Sequence, residues 1–263
     1  KEILISTYIC HPSMANNELS GPLVSIALAK YFSSNTVNSK TLRFIFIPET
    51  IGSITYLNRN LNKLKKNVIA GFNLSCIGDE RQYSYMPTKY GDTLSDKAAK
   101  KAFKDLKIKF HTYSFLKRGS DERQFNSPGI DLPIASLMRT KYGCYPEYHT
   151  SLDNFDLVTQ KGLKGGFDLV KKAINILMKN FIPYNLILCE PKIIKRRLHE
   201  NLKNRDIIKL SRNSYNFRMK YMNFLQYADG TNDLTDISNY IKLPFDETYK
   251  VFQVLKKKKL VKI

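Results

Sequence analysis

Four loops of the chain carry residues that could do chemistry together. His11 lies in ICHPSMANNELSGP (residues 9–22), directly after the apolar positions Ile3, Leu4, Ile5, Tyr8 and Ile9. Glu49 lies in PETIGS after TLRFIFIP, Asp121 and Glu122 lie in RGSDERQF, and His149 lies in YPEYHTSLDN after LPIASLM. Two of the chain's four histidines and several acids therefore follow strand-like runs. In open α/β sheets ligands bind beyond the carboxyl ends of the strands. Imidazole and carboxylate together suit hydrolytic zinc. Each residue alone has a plainer reading. His11 suits a hydrogen-bonded loop position, Glu49 a helix-start acid facing the dipole, and Asp121 and Asp153 turn caps. The joint arrangement is what points to metal-assisted hydrolysis. His111 and His199 lack such a context and read as surface residues.

Bringing those loops together needs alternating strands and helices. KEILISTYI reads as a strand, and LSGPLVSIALAKYF as a helix with Pro22 in its first turn. TLRFIFIP is a second strand, followed by the helical GSITYLNRNLNKLKKN. NVIAGFNLSCI is a buried strand, SDKAAKKAFKDLK a helix with a Ser or Asp cap, LPIASLM a short strand, and KGLKGGFDLVKKAINILMKN a long amphipathic helix. Continuous apolar strands separated by helices predict an α/β fold: a mostly parallel sheet sandwiched by helices. Near Pro183 the pattern changes. RMKYMNFLQYADG, LTDISNYIKL and PFDETYKVFQVLKKKKLVKI predict three helices and a small terminal strand. Asp229-Gly230 ends the first helix, Thr235 or Asp236 lies near the start of the second, and Pro244 starts the third. This pattern resembles a small winged helix-turn-helix domain. The expected domains are residues 1–184 and 185–263.

Composition narrows the classes. With 263 residues, 43% of them apolar, 15 Phe and 16 Tyr, the chain can bury one large core or one large and one small core. No apolar run reaches the roughly 18 residues that cross a bilayer, and nothing reads as a signal peptide. The chain enters a strand at once, so an upstream segment is expected before Lys1. The four cysteines (Cys10, Cys76, Cys144, Cys189) are scattered with no CxxC pair. That argues against a disulfide framework or a thiolate zinc site and fits a reducing cytoplasm. The formal charge of +20 invites a nucleic-acid reading. Lysine is abundant throughout, however, and no base-reading motif is recognisable. Within the C-terminal part, LTDISNYIKL, read as the helix that would enter a major groove, is nearly neutral, whereas the lysines gather in KKKK at 256–259. Sequence-specific nucleic-acid binding is not expected. The domain is expected to pack against protein, its own α/β part or a second copy of the chain.

The motif order adds a family. His11, then A-N-x-x-L-S-G (15–21), P-E-x-x-G-S (48–53), N-L-x-x-x-G (73–78), G-S-D-x-x-x-F (119–125) and Y-H-T-x-x-D (148–153) resembles the di-zinc aminopeptidase family. The chain looks closer still to a bacterial aminopeptidase-like branch whose members end in a winged helix and often accompany surface-polysaccharide genes. CEPKIIKRRL at 189–198 is similar to the segment joining the two parts in that branch. The resemblance covers nearly the whole chain and implies a zinc exopeptidase-like sheet.

Carried over residue by residue, the resemblance gives His11 and His149 as the first and last zinc histidines, Glu49 as the general base and Asp153 as the acid after the last histidine. Ser13 stands where the family has an acid, and Asn17 stands at its bridging aspartate, with Glu18 adjacent. Thr50 replaces the second of the paired glutamates, and Ser75 replaces the aspartate of its N-L-D segment. Asp121 matches its S-D-H segment, with Glu122 in place of the histidine. A second metal has lost most of its ligands. The resemblance thus implies one zinc held by His11, His149 and a carboxylate, Glu18 first and Asp121 second. Arg123, Arg139 and Tyr145 are candidate contacts for an acidic or sugar group. The expected function is a zinc-dependent amide or peptide hydrolase of aminopeptidase type, acting on a small peptide or amide-bearing substrate. Asn17, Thr50 and Ser75 favour another reading: a catalytically degenerate relative that binds a sugar-related ligand in surface-polysaccharide biosynthesis. A third is a DNA-binding regulator with the α/β part as sensor.

Overall fold

A computed structural model describes residues 1–34, 40–191 and 210–263, without the side chains of 210–218. Most of the 189–198 segment and His199 lie outside the described residues. The chain divides into two compact units, Lys1–Met178 and Lys179–Ile263. The division falls slightly ahead of the expected 184/185 boundary, because Phe181 and Tyr184 pack with the second unit: Phe181 meets the Phe252 ring edge-on at 4.5 Å, and Tyr184 pairs with Lys262.

The first unit runs β1 (Glu2–Tyr8), a π-helical turn (Ala15–Leu19), α1 (Ser20–Ser34), β2 (Thr41–Ile47), α2 (Ile51–Asn67), β3 (Val68–Leu74), β4 (Ser84–Met86), α3 (Leu94–Asp105), β5 (His111–Thr112), α4 (Glu122–Phe125), β6 (Ile134–Met138) and α5 (Gln160–Lys179, whose last residue opens the second unit). The six strands lie in the order β2-β1-β3-β6-β4-β5. The first four are mutually parallel, and β4 is antiparallel to β6. The sheet is therefore mostly parallel with a mixed edge. That edge is built from Ser84–Met86 and His111–Thr112, runs too short to announce themselves by alternation. His111 is exposed.

Side chains alternate between the faces of a strand. Leu4, Ile45 and Ile134 meet Leu57 and Leu64 of α2 and Phe125 of α4 in one core cluster. Thr7, of the opposite parity to Leu4, comes up against Gly21 of α1 on the other face, where a Cβ would strike the Thr7 hydroxyl and the Leu74 carbonyl. Truncating a fully buried member such as Leu64 to alanine is expected to cost about 2–5 kcal/mol. The α3 cap differs from expectation. Thr93 stands at the N-cap, and Asp96 reaches back to its backbone N–H at 3.0 Å, forming a capping box.

The second unit holds β7 (Tyr184–Asn185), α6 (Leu210–Tyr227), α7 (Leu234–Tyr240), α8 (Phe245–Lys257) and β8 (Val261–Lys262). β7 and β8 form an antiparallel ribbon, and Phe224, Leu234, Ile237, Phe245 and Leu255 are fully buried. α7 begins with Thr235 and Asp236 in its first turn, as expected, and is capped by Asp233, whose carboxylate accepts the Asp236 N–H at 2.9 Å. Pro244 is the N-cap of α8. The helix-turn-helix pair is α7 and α8, so the recognition position falls on α8 and not on LTDISNYIKL. No helix of the described residues is long and apolar enough to cross a membrane.

Candidate metal centre and general base

The chain leaving β1 turns back on itself, and Glu18 fixes that turn. One carboxylate oxygen accepts the Cys10 N–H. The other accepts the His11 N–H at 2.9 Å and stands 3.4 Å from His11 Nδ1. Cys10 Sγ lies 3.1 Å from the same nitrogen. Cys10, His11 and Glu18 form the only group of three His, Cys, Asp or Glu among the described residues whose ligand atoms all lie within 4.8 Å of one another. His149 faces this group from another loop, its ring 5.1 Å from that of His11 and stacked on Tyr148 at 4.0 Å. Cys10 carries no sequence signal of its own. It precedes His11 directly and lacks the CxxC spacing that marks thiolate ligands. Burial pushes its thiol up, with Glu18, Glu49 and Asp121 adding to the rise against the Glu49 N–H bond that lowers it.

Close to this group, the positions at which the resemblance would put further ligands carry neutral side chains. Asn17 Oδ1 accepts the Tyr8 hydroxyl at 2.7 Å. Burial raises the Tyr8 phenol well above its usual value. Cys76, held at φ 46°, is buried with its thiol 3.6 Å from Asn17 Oδ1 and 3.6 Å from the Tyr145 hydroxyl, and burial lifts it to about 12. Ser75 is buried as well. Asp153 does not cap its own turn. Its carboxylate takes the backbone N–H groups of Asn16 at 2.5 Å and Asn17 at 3.0 Å, and the Tyr145 hydroxyl at 3.2 Å.

Glu49 sits on a strained bend. Ile51 N–H donates to the Glu49 carbonyl at 2.7 Å around Thr50, which holds φ 62° and ψ −67°. This is the rare positive-φ γ-turn, on a β-branched residue, and such strain costs on the order of 1–3 kcal/mol. Gly52 allows the chain to close, because a Cβ there would lie 2.7 Å from Pro48 Cδ. Asp121 is fully buried. Its Oδ1 accepts both the Thr50 N–H and the Ser53 hydroxyl at 2.8 Å, while Oδ2 has no partner. Burial pushes the Asp121 carboxyl up to about 6, with Glu49 and Glu122 adding to the rise. Arg123 Nη2 donates to Thr50 Oγ1 at 2.7 Å. The Glu49 N–H donates to Cys10 Sγ at 3.3 Å.

The remaining candidates are engaged elsewhere. Arg139 Nε donates to the Asp79 carbonyl at 2.7 Å, and its guanidinium lies 3.7 Å over the Tyr83 ring, in contacts that do not include the Cys10–His11–Glu18 group. Tyr145 is buried behind the rim on Cys76 and Asp153, and burial raises its phenol. Glu122 points into the fold, accepting Gly119 N–H, Ser120 N–H and the Tyr142 hydroxyl on one oxygen and Asn73 Nδ2 and the Ser136 hydroxyl on the other.

Comparison with known proteins places this arrangement. Residues 1–180 match the family profile described as a domain of unknown function, DUF4910, and residues 181–263 match a winged helix-turn-helix. The chain belongs to the DUF4910 family. A Clostridium acetobutylicum protein, provisionally named a polysaccharide biosynthesis protein with an aminopeptidase-like domain, is 38% identical over 259 residues, covering 95% of this chain and 58% of that protein. A crystal structure of a provisionally named peptidase from Clostridium acetobutylicum superposes with a TM-score of 0.87 at 36% identity, covering 99% of this chain and 57% of that one. A zinc aminopeptidase from Bacillus subtilis matches 66% of this chain and 45% of its own, with a TM-score of 0.57 and 20% identity, a likeness of fold. The chain thus spans less than two thirds of the length of each of these three proteins, and its α/β unit has the aminopeptidase-like fold.

Proposed function

We propose that the α/β unit is a zinc-dependent amide hydrolase of aminopeptidase type, with one metal and Glu49 as general base. The observation that carries this reading is the meeting of Cys10, His11 and Glu18 within 4.8 Å, with Glu49 bonded through its N–H to Cys10. Sulfur, imidazole and carboxylate donors suit zinc, and three of them leave a position open. His11, Glu18 and Cys10 would hold the ion, with His149 approaching from the facing lip. The bridging position of a second metal does not fit: Asn17 is a neutral amide already committed to Tyr8. Zinc, when bound, supplies Lewis acidity towards an amide carbonyl and towards water.

The protein's own part is proton traffic and placement. Glu49 takes a proton from the attacking water and returns it to the leaving amine, a role worth about 10²–10⁴ in rate. Its charge adds to the raised values of Tyr8, Cys10, Asp121 and Tyr148, and its backbone N–H reaches Cys10 Sγ at 3.3 Å. Asp153 keeps the His149 loop closed onto the turn that carries Glu18. The polysaccharide wording in the relative's name adds N-acylated amino sugars to aminoacyl amides as substrates to assay. The test is purification without chelators, zinc quantification, and turnover on that panel with Glu49→Gln as control. Glu49→Gln should keep the metal and lose at least about a hundredfold in rate. Unchanged turnover with intact metal would leave Glu49 as a helix-start residue only.

A further inference from the structure

We infer that Asp121 and Arg123 are positioning residues that hold Glu49 over the Cys10–His11–Glu18 group by clamping Thr50 from both sides. The inference rests on Glu49 being the general base. Three kinds of contact converge on Thr50. Its N–H is held by Asp121 Oδ1 at 2.8 Å, and the same oxygen holds the Ser53 hydroxyl in the first turn of α2. Its hydroxyl accepts Arg123 Nη2 at 2.7 Å. Its carbonyl accepts the Ile54 N–H at 2.9 Å, and the Ser53 hydroxyl, whose one hydrogen is shared with Asp121 Oδ1, lies 2.9 Å from it. Every polar group of Thr50 is therefore spoken for, and together these bonds impose a φ of 62° that a β-branched residue does not adopt unaided.

What the clamp fixes is the direction of the residue before it. With Thr50 pinned, the γ-turn sets the Glu49 carbonyl against the Ile51 N–H, and the Glu49 N–H then points at Cys10 Sγ. If the turn relaxed to negative φ, the peptide linking Glu49 to Thr50 would rotate and shift Glu49 relative to Cys10. Asp121 and Arg123 come from one short segment, the start of α4, so one local structure supplies both jaws. The clamp also gives both residues work other than the metal-ligand and substrate-contact roles expected from sequence. Asp121 lies outside the group of donors within 4.8 Å, and Arg123 spends a guanidinium N–H on Thr50.

The experiment uses the full chain and two readouts. Thr50→Val removes the hydroxyl while keeping the β-branched shape, Arg123→Met removes the other partner, and Thr50→Ser restores the hydroxyl. In zinc-loaded protein, Thr50→Val and Arg123→Met should lower kcat at least about tenfold with KM within about twofold and zinc content unchanged, and Thr50→Ser should recover most of the loss. A rise in KM with kcat intact would overturn the positioning role and return Arg123 to substrate binding. The second readout needs no turnover. In metal-stripped protein, iodoacetamide labelling of Cys10, followed by peptide mass spectrometry, should change rate at least about threefold in Thr50→Val, while Cys144 labels as in the wild type. An unchanged Cys10 rate overturns the clamp, whatever the turnover shows. A shifted Cys10 rate in a protein that hydrolyses nothing supports the hold on Glu49 and sinks the hydrolase reading alone.

Discussion

Asp153 accepts the backbone N–H of Asn17 at 3.0 Å across 136 residues of sequence. With its bond to Asn16 N–H, this contact caps the π-helical turn from outside and ties the His149 loop to the residues beside Glu18. The donors are buried, and an unmatched buried N–H costs about 1–3 kcal/mol. Asp153→Ala should therefore lower stability by several kcal/mol, a large share of an ordinary domain's total. Asp153→Asn, which keeps one acceptor oxygen, should lose less. Urea unfolding checks this, and equal midpoints for the two variants would show that the carboxylate is not the tie.

Metal content should read about one zinc per chain. His11→Ala and Glu18→Gln should each remove stoichiometric zinc, and Cys10→Ser should weaken binding at least about tenfold, the scale of losing support at a metal site. His149→Ala should lower zinc content too, since its ring faces His11 at 5.1 Å. Full retention would make His149 a substrate contact. His111→Ala should change nothing. Glu18→Gln has a second consequence, because that carboxylate also receives the Cys10 and His11 N–H groups, so the loop should loosen even without metal. Two tightly bound zincs per chain would end the mononuclear reading. Asn17→Asp alone should not create the second, because Thr50 and Ser75 supply no carboxylate.

Much of this was legible in the sequence, although for mixed reasons. The strand ends carrying His11, Glu49 and His149 followed from apolar runs interrupted by polar loops. Several motif residues that carried the family resemblance turn out to be architecture. Asn16 accepts the Gly78 N–H at 2.8 Å, Ser20 receives the Ile77 N–H at 2.9 Å, and Ser53 and Asp121 hold the Thr50 bend. A motif residue can serve a bend or a buried hydrogen bond as readily as it serves chemistry. Cys10 could not be read, because nothing in its spacing separates a donor from a loop cysteine. The γ-turn at Thr50 could not be read either, because a threonine ordinarily avoids positive φ and only its distant partners enforce it. The strands β4 and β5 were too short to alternate. The position of Arg139 depends on Tyr83 and Asp79, partners distant in sequence.

Asp121 should leave a signature in the pH dependence of stability. Its carboxyl is pushed from 3.8 up to about 6, chiefly by burial. Between those values the native chain keeps a proton that the unfolded chain has released. The stability this group contributes is thus fully present below about pH 4 and is lost as pH rises through about 6. Metal-free wild type should gain stability, relative to Asp121→Asn, as pH falls from 7 to 5. Urea midpoints at a series of pH values measure this, and parallel curves for the two proteins would place the Asp121 pKa near that of an ordinary aspartate.

The winged-helix unit should not read DNA sequence. In a helix-turn-helix the second helix lies in the major groove, with its N-terminal residues on the base edges. That helix is α8, and its first turn carries Asp246 and Glu247, both exposed. Lys220 offsets Glu247 at 2.9 Å and Lys179 stands 3.9 Å from Asp246, but two exposed carboxylates at the tip would still face the phosphates. The basic residues gather at the far end, in Lys256 to Lys259, where cations suit the helix C-terminus. An anisotropy titration at about 150 mM salt should therefore give weak binding that falls steeply as salt rises, the mark of phosphate contacts alone. Reversing Asp246 and Glu247 to lysine should strengthen binding to random duplex and to any chosen sequence alike. Nanomolar affinity of the wild type for one sequence, far above random duplex, would show that α8 reads bases despite its acidic tip.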